Sequence, residues 1–194
     1  MEQTYLIFDT ETAGLPRRGG SSHISVHSWP RLVQIAWIIC DDSQAILEKR
    51  STLIRPNGFM IGRTSTQIHG ITTEQAKKEG ADLYSVLIDF SRAVARSTVV
   101  VAHNIAFDKH VVEAECIRSG LELPFRGAHS ICTMKSSKKI CGIKRNGRYK
   151  WPTLTELHMT LFDANYERHH NAEYDAVACA RCFFELRRRG ILKV

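Results

Sequence analysis

The sequence predicts an α/β fold: a mixed five-stranded sheet, three antiparallel strands followed by parallel ones, with helices on both faces. Two observations predict it. The chain opens with apolar, β-branched runs separated by polar turns, the signature of consecutive strands. Beyond residue 82, helical periodicity alternates with short apolar runs, the signature of strand–helix–strand connections.

The elements follow in order. Residues 4–9 read as the first strand, and Gly14 to Pro30 as a long loop containing Gly, Ser and Pro. Leu32 to Cys40 and Ile46 to Arg55 flank the polar turn Asp41-Asp42-Ser43, so they form a hairpin that extends the first strand into a meander. From Asp82 to Ala95, the residues Leu83, Val86, Leu87, Phe90 and Val94 share one helical face. Thr98 to Ala102 is a short buried strand, and Asn104 is placed to cap a helix running toward Arg118. Ser130 to Thr133 is the fifth strand. Helices are expected over 153–162 and 172–188, the last stopping before Gly190.

A chain of 194 residues suits one domain spanning 1–194 with one sizeable core. No apolar run approaches the ~20 residues of a membrane helix, and the N-terminus shows no export signal. Six scattered cysteines in a chain of this size fit reduced thiols and a cytoplasmic location. Cys179 and Cys182 form a CxxC with His169 and His170 nearby, so zinc is one reading. The other is that both are small hydrophobes of an apolar helix, AVACARCFFEL, with no second CxxC to complete a metal site.

The net charge of +7 is concentrated in one place. Residues 135–150 carry Lys135, Lys138, Lys139, Lys144, Arg145, Arg148 and Lys150 without one acid. Removing them from the 27 basic residues leaves 20, which matches the 20 acids. The segment is either a solvated loop or a phosphate-binding flap in which Lys144, Arg145, Arg148 and Lys150 meet nucleic acid.

Four acids and a histidine carry the chemistry. On a strand, Asp9 and Glu11 of FDTET face one side and repel each other unless a cation neutralises them. Hard divalent cations such as magnesium or manganese take oxygen ligands of this kind. Asp108 closes HNIAFD one turn beyond Asn104, and Asp175 lies in the first turns of the terminal helix. His170, on the loop before that helix, can accept a proton from water near neutral pH. Singly, each acid is explained as a helix-dipole or turn residue, and His170 as a surface histidine. Together, in this order, they read as a two-metal nuclease.

These motifs resemble the DEDD exonuclease superfamily, in the branch with histidine in its last motif, and are similar to the exonuclease domain of the DNA polymerase III epsilon proofreading subunit. The first motif is Asp9-Thr10-Glu11, the second ends at Asp108, and the third is His170-x-Ala172-x-x-Asp175. Ile68-His69-Gly70-Ile71-Thr72 is a further match, and the likeness runs from residue 4 to about 188. The resemblance implies a ribonuclease H-like fold and removal of nucleoside monophosphates from 3′ ends. It implies that Asp9 bridges two metal ions, Mg²⁺ or Mn²⁺, and that Glu11 and Asp175 hold the nucleophile-side ion. By the same resemblance, Asp108 is expected to support the second ion through water, and His170 to be the general base. Such ions, ~4 Å apart, clamp the scissile phosphate and activate the attacking water.

Substrate contacts are expected from Thr10, Thr12, Ala13, Gly14, Leu15, His69, His103, Asn104 and Phe107, with backbone amides after Glu11 meeting the terminal nucleotide. Leu15, His69 and Phe107 are candidates to wedge or stack against its base. Phe107 reads equally well as core, and Trp29 and Trp151 as stacking platforms or core covers. Thr12-Ala13-Gly14 departs from the Thr-Thr-Gly of many relatives, removing one hydroxyl contact. No polymerase-binding tail follows the last helix, which favours a free-standing enzyme. Single-stranded or frayed DNA ends are the leading substrate. An RNA-trimming enzyme resembling oligoribonuclease or ribonuclease T is the runner-up, and a non-catalytic nucleic-acid-binding module a third reading. Oligomeric state leaves no mark in the sequence.

Overall fold

The computed structural model describes residues 3–16, 26–166 and 170–193. Five strands, β1 (Thr4–Thr12), β2 (Leu32–Asp41), β3 (Ile46–Leu53), β4 (Val99–Ala102) and β5 (His129–Cys132), form one sheet in the order β3-β2-β1-β4-β5. β1, β2 and β3 pair antiparallel, whereas β4 pairs parallel with both β1 and β5. This is the mixed sheet the sequence predicts.

Side-chain alternation along β1 sorts the molecule into two layers. Tyr5 and Ile7 are buried on the face covered by α6 (Leu154–Phe162) and α7 (Ala172–Arg188). Leu6 and Phe8 are buried on the opposite face, covered by α3 (Leu83–Ala95) and α4 (Ile105–Arg118). Aromatic pairs lock each layer: Tyr5 to Phe183 at 5.2 Å on one side, Phe8 to Phe90 at 5.2 Å on the other. Fully burying side chains such as Phe8, Leu6 and Ile7 contributes ~1.5–3 kcal/mol each, which makes β1 the centre of the core. Among the described residues, no helix is long and apolar enough to cross a membrane.

Several elements depart from the expectations. β1 runs three residues past Asp9, and its pairing with β2 shifts between Glu11 and Thr12, a bulge that re-aims the strand end. Two short helices, α1 (Arg63–His69) and α2 (Thr73–Glu79), follow the meander. Ile68-His69-Gly70-Ile71-Thr72 is the corner between them; Gly70 ends α1 at φ 77°, and the Thr72 hydroxyl accepts the Gln75 N–H. Asn104 stands at the N-cap of α4 with φ 69° and makes no capping hydrogen bond, because a left-handed residue does not carry its side chain over the first-turn amides as an extended cap does.

The basic segment 135–150 is not one loop. Its first half lies on α5 (Thr133–Cys141) and its second half forms the hairpin β6 (Lys144–Arg145) and β7 (Arg148–Tyr149). Asn146 and Gly147, at φ 51° and 74°, supply the two left-handed residues of its tight turn. The Gly14–Pro30 loop lies partly outside the described residues, as does His169.

Candidate active site

The alternation that buries Tyr5 and Ile7 continues to Asp9 and Glu11, which therefore emerge beside the N-terminal turns of α7. There they meet Asp175. One carboxylate oxygen from each of Asp9, Glu11 and Asp175 lies within 4.8 Å of the others, the one such group found among the described residues. Glu11 and Asp175 are buried and Asp9 half-buried.

Asp108 approaches from the other layer. Thr10, pointing away from Asp9 and Glu11, donates to Asp108 Oδ1 from its backbone N–H at 3.1 Å and its hydroxyl at 2.7 Å. Asp108 is thereby fixed over the end of β1. Its own position in the first turn of α4 follows from the helix leaving β4 at Ile105.

Crowded carboxylates hold protons. Burial, followed by the charges of Asp108, Asp175 and Glu11, pushes Asp9 well above the usual carboxylate range. Burial, with the charges of Asp175 and Asp108, pushes Glu11 to about 8. Asp108 rises to about 7 through burial, against the opposing pull of the Thr10 hydrogen bonds. Such a cluster is unfavourable when ionised alone and favourable around a cation. Its all-oxygen donor set fits hard divalent ions.

Two residues absent from the sequence reading, Tyr166 and Gln34, hold Asp175 and the start of α7 in place. The Tyr166 hydroxyl donates to Asp175 Oδ1 at 2.6 Å, and the His170 backbone N–H donates to Oδ2 at 2.9 Å. Gln34, opposite Glu11 in the β1–β2 ladder, accepts the Ala172 N–H at 3.1 Å and donates to Ser51 at 3.2 Å, pinning the start of α7 to β2. Neither Tyr166 nor Gln34 is legible locally, because each joins residues set together only by folding. His170 itself is exposed and at φ 65°, just ahead of Asn171, whose side chain caps α7.

A pocket of about 490 Å³ opens beside Glu11, walled by Thr12, Gly14, Leu15, Ile68, His69 and Phe107 among others. Leu15 is 82% exposed at its lip. His69 is buried, and burial lowers its pKa; its Nδ1 accepts the Ile71 N–H at 3.1 Å. Phe107 is half-buried, lining the pocket while its ring meets Trp29 at 5.9 Å, so it serves core and pocket together.

Other candidate contacts are already engaged within the protein. The Ala13 N–H donates to the Arg31 carbonyl at 2.9 Å, since β1 continues pairing past Glu11, and this amide is not open to a nucleotide. The Thr12 hydroxyl donates to the Gly14 carbonyl at 2.7 Å. His103 bonds through both ring nitrogens, to the Thr133 hydroxyl and the Pro152 carbonyl, each at 3.0 Å. Asn104 is exposed at the start of α4. Lys150 pairs with Glu156 in the capping box of α6, whereas Lys144, Arg145 and Arg148 are exposed on the hairpin. Cys179 and Cys182 are buried in the layer under α7, where burial raises both thiols; this is the core reading of the CxxC.

A family model described as Exonuclease matches residues 6–183. The chain belongs to that exonuclease family. Membership agrees with the DEDD-type motifs and with the enzyme expected from them. The PolC-type DNA polymerase III of Lactococcus lactis subsp. lactis is 30% identical over 193 residues, covering 97% of this chain and 10% of that protein. Its counterpart in Streptococcus thermophilus is 32% identical over 184 residues, covering 94% and 11%. The chain thus spans about a tenth of the length of these relatives. Among solved structures, E. coli exonuclease I in complex with a dT13 oligonucleotide aligns with TM-score 0.76 at 18% identity, covering 96% of this chain and 41% of that one. The zinc-bound form of the exonuclease I–single-stranded DNA complex gives 0.75 at 19% identity, covering 97% and 41%. These likenesses establish the ribonuclease H-like fold of the exonuclease family in this chain.

Proposed function

We propose that the chain is a metal-dependent 3′–5′ exonuclease that releases nucleoside monophosphates from single-stranded or frayed DNA ends. The observation that carries this reading is the Asp9–Glu11–Asp175 cluster opening beside a pocket of about 490 Å³, room enough for a terminal nucleotide. Asp9, Glu11 and Asp175 would hold divalent ions, with Asp108 completing a two-ion site; magnesium or manganese suits their oxygens. When bound, such ions polarise the scissile phosphate, lower the pKa of water and stabilise the departing oxygen.

The chain's own residues do the rest. His170 takes the proton of the attacking water as its oxygen bonds to phosphorus. The bond to the 3′ oxygen breaks, and that oxygen leaves with the electron pair, gains a proton from solvent and becomes the new 3′ hydroxyl. Tyr166 and Gln34 orient Asp175 and the α7 terminus without touching substrate. Leu15, His69 and Phe107 form the walls against which the terminal base rests. The exposed hairpin cations Lys144, Arg145 and Arg148 meet phosphates further along the strand.

DNA is favoured because the similar curated proteins are DNA polymerases and the similar structures include complexes with DNA oligonucleotides. Matched end-labelled DNA and RNA strands, incubated with Mn²⁺ or with excess chelator, test the proposal. Mononucleotide release from DNA, dependent on metal and starting at the 3′ end, is expected. Preferential trimming of RNA would transfer the reading to an RNA exonuclease, and undiminished hydrolysis in chelator would remove the metal from it.

A further inference from the structure

We propose that Tyr149 and Trp151, with Lys138 and Lys144, form a stacking track for the bases of a single strand leading toward the active site. The inference rests on the exonuclease reading and adds a surface that engages bases, where the hairpin cations engage phosphates.

Both rings are exposed to the same degree, 48%, and neither belongs to an apolar core among the described residues. They are nonetheless held in place. Lys138 Nζ on α5 sits 4.4 Å from the Trp151 ring centre, and Lys144 Nζ on β6 sits 5.5 Å from the Tyr149 ring centre. Hairpin pairing continues to Lys150, whose N–H donates to the Ile143 carbonyl at 3.0 Å. In an extended segment Tyr149 and Trp151 share one side, about 6.6 Å apart along the chain, while Lys150 turns to Glu156 on the other. Large aromatic surfaces among cations, in a segment without one acid, match a polyanion with unstacked bases.

The platform is tied to the catalytic machinery. Pro152 follows Trp151, and its carbonyl can only accept, so His103 Nε2 carries the proton of that hydrogen bond. The other nitrogen, Nδ1, then accepts from the Thr133 hydroxyl at the start of α5. Burial lowers His103 to about 4, keeping this neutral form at physiological pH. His103 thus joins both ends of the platform to the corner between β4 and α4, one turn ahead of Asp108. A duplex keeps its base faces stacked inside and offers this track nothing, so single strands are the partner it fits.

Tryptophan emission reads this directly. Trp37 is fully buried and Trp29 half-buried, leaving Trp151 the exposed indole of the three in the sequence. Titrating the whole chain with oligo(dT) in excess chelator should quench its emission, with far less effect from a duplex of equal length. Trp151→Phe should keep the affinity and lose most of the quench. Trp151→Ala and Tyr149→Ala should each bind about 5- to 150-fold more weakly, the usual worth of one stacked base. Equal affinity of wild type and the double alanine variant, with circular dichroism confirming that it folds, would overturn the track. So would tighter binding of an acidic polypeptide than of oligo(dT). Wild-type hydrolysis of a labelled dinucleotide with Mn²⁺ is scored separately: quenching without hydrolysis would defeat the exonuclease reading alone, and hydrolysis without quenching would defeat the track alone.

Discussion

Asp9 stands where burial and three other carboxylates raise its affinity for protons, so removing its charge has two opposite consequences. Asp9→Asn should abolish nuclease activity yet melt at a higher temperature than the wild type in chelator, because a repulsion disappears with the ligand. An active variant would mean that Asp9 holds no essential ion, and a less stable one that the cluster is not what strains this site. His170→Ala separates proton transfer from metal holding: hydrolysis should slow by ~100-fold or more, and Mn²⁺ binding measured by calorimetry should persist. Disappearance of metal binding would make His170 a ligand. The acids and His170 were readable because their motifs are local: a two-residue period on a strand, a carboxylate one turn into a helix. Tyr166 and Gln34 were not, since a tyrosine nine residues before Asp175 and a glutamine on β2 acquire meaning only when α7 docks on the sheet.

At the scale of elements, legibility followed apolar patterning. The five strands and the helices over 83–95, 105–118, 154–162 and 172–188 each carry a buried face or a recognisable boundary, and they lie within a residue or two of expectation except where β1 extends. α1, α2 and α5 escaped because they are short and place few apolar residues on the core: Thr133 and Ser137 are the buried residues of α5, and polar side chains give no period to read. Missing α5 made the basic segment seem a loop, although its charges divide between a helix and a hairpin. The hairpin half makes a separate prediction. Neutralising Lys144, Arg145 and Arg148 together should weaken binding to long single strands and lower the salt-dependence slope by roughly 0.7 for each phosphate the variant no longer neutralises. Superimposable salt series for wild type and triple variant would return the hairpin to a solvated role.

For the whole molecule, the carboxylate cluster links stability to pH in a direction opposite to the usual acid-denaturation trend. Glu11 at about 8 and Asp108 at about 7 lie above the values of an unfolded chain, so the folded state keeps protons that the unfolded state releases. Their contribution to folding is full below about pH 4, declines as pH rises from there, and is gone once pH passes about 7 to 8. Thermal melts in chelator should therefore show a decline over this window that saturating Mn²⁺ removes, with the metal-induced rise in Tm larger at pH 8 than at pH 5. Parallel curves with and without metal would sink the linkage. The layering around β1 has a further consequence for how the molecule comes into being. β1 leaves the ribosome ahead of the other strands with Asp9 and Glu11, and α7 follows all of them with Asp175, as well as the residues that bury Tyr5 and Ile7. A nascent chain short of α7 has neither the third carboxylate nor a finished core. On the proposed reading, a chain still being made cannot cut, because its centre closes only when α7 docks.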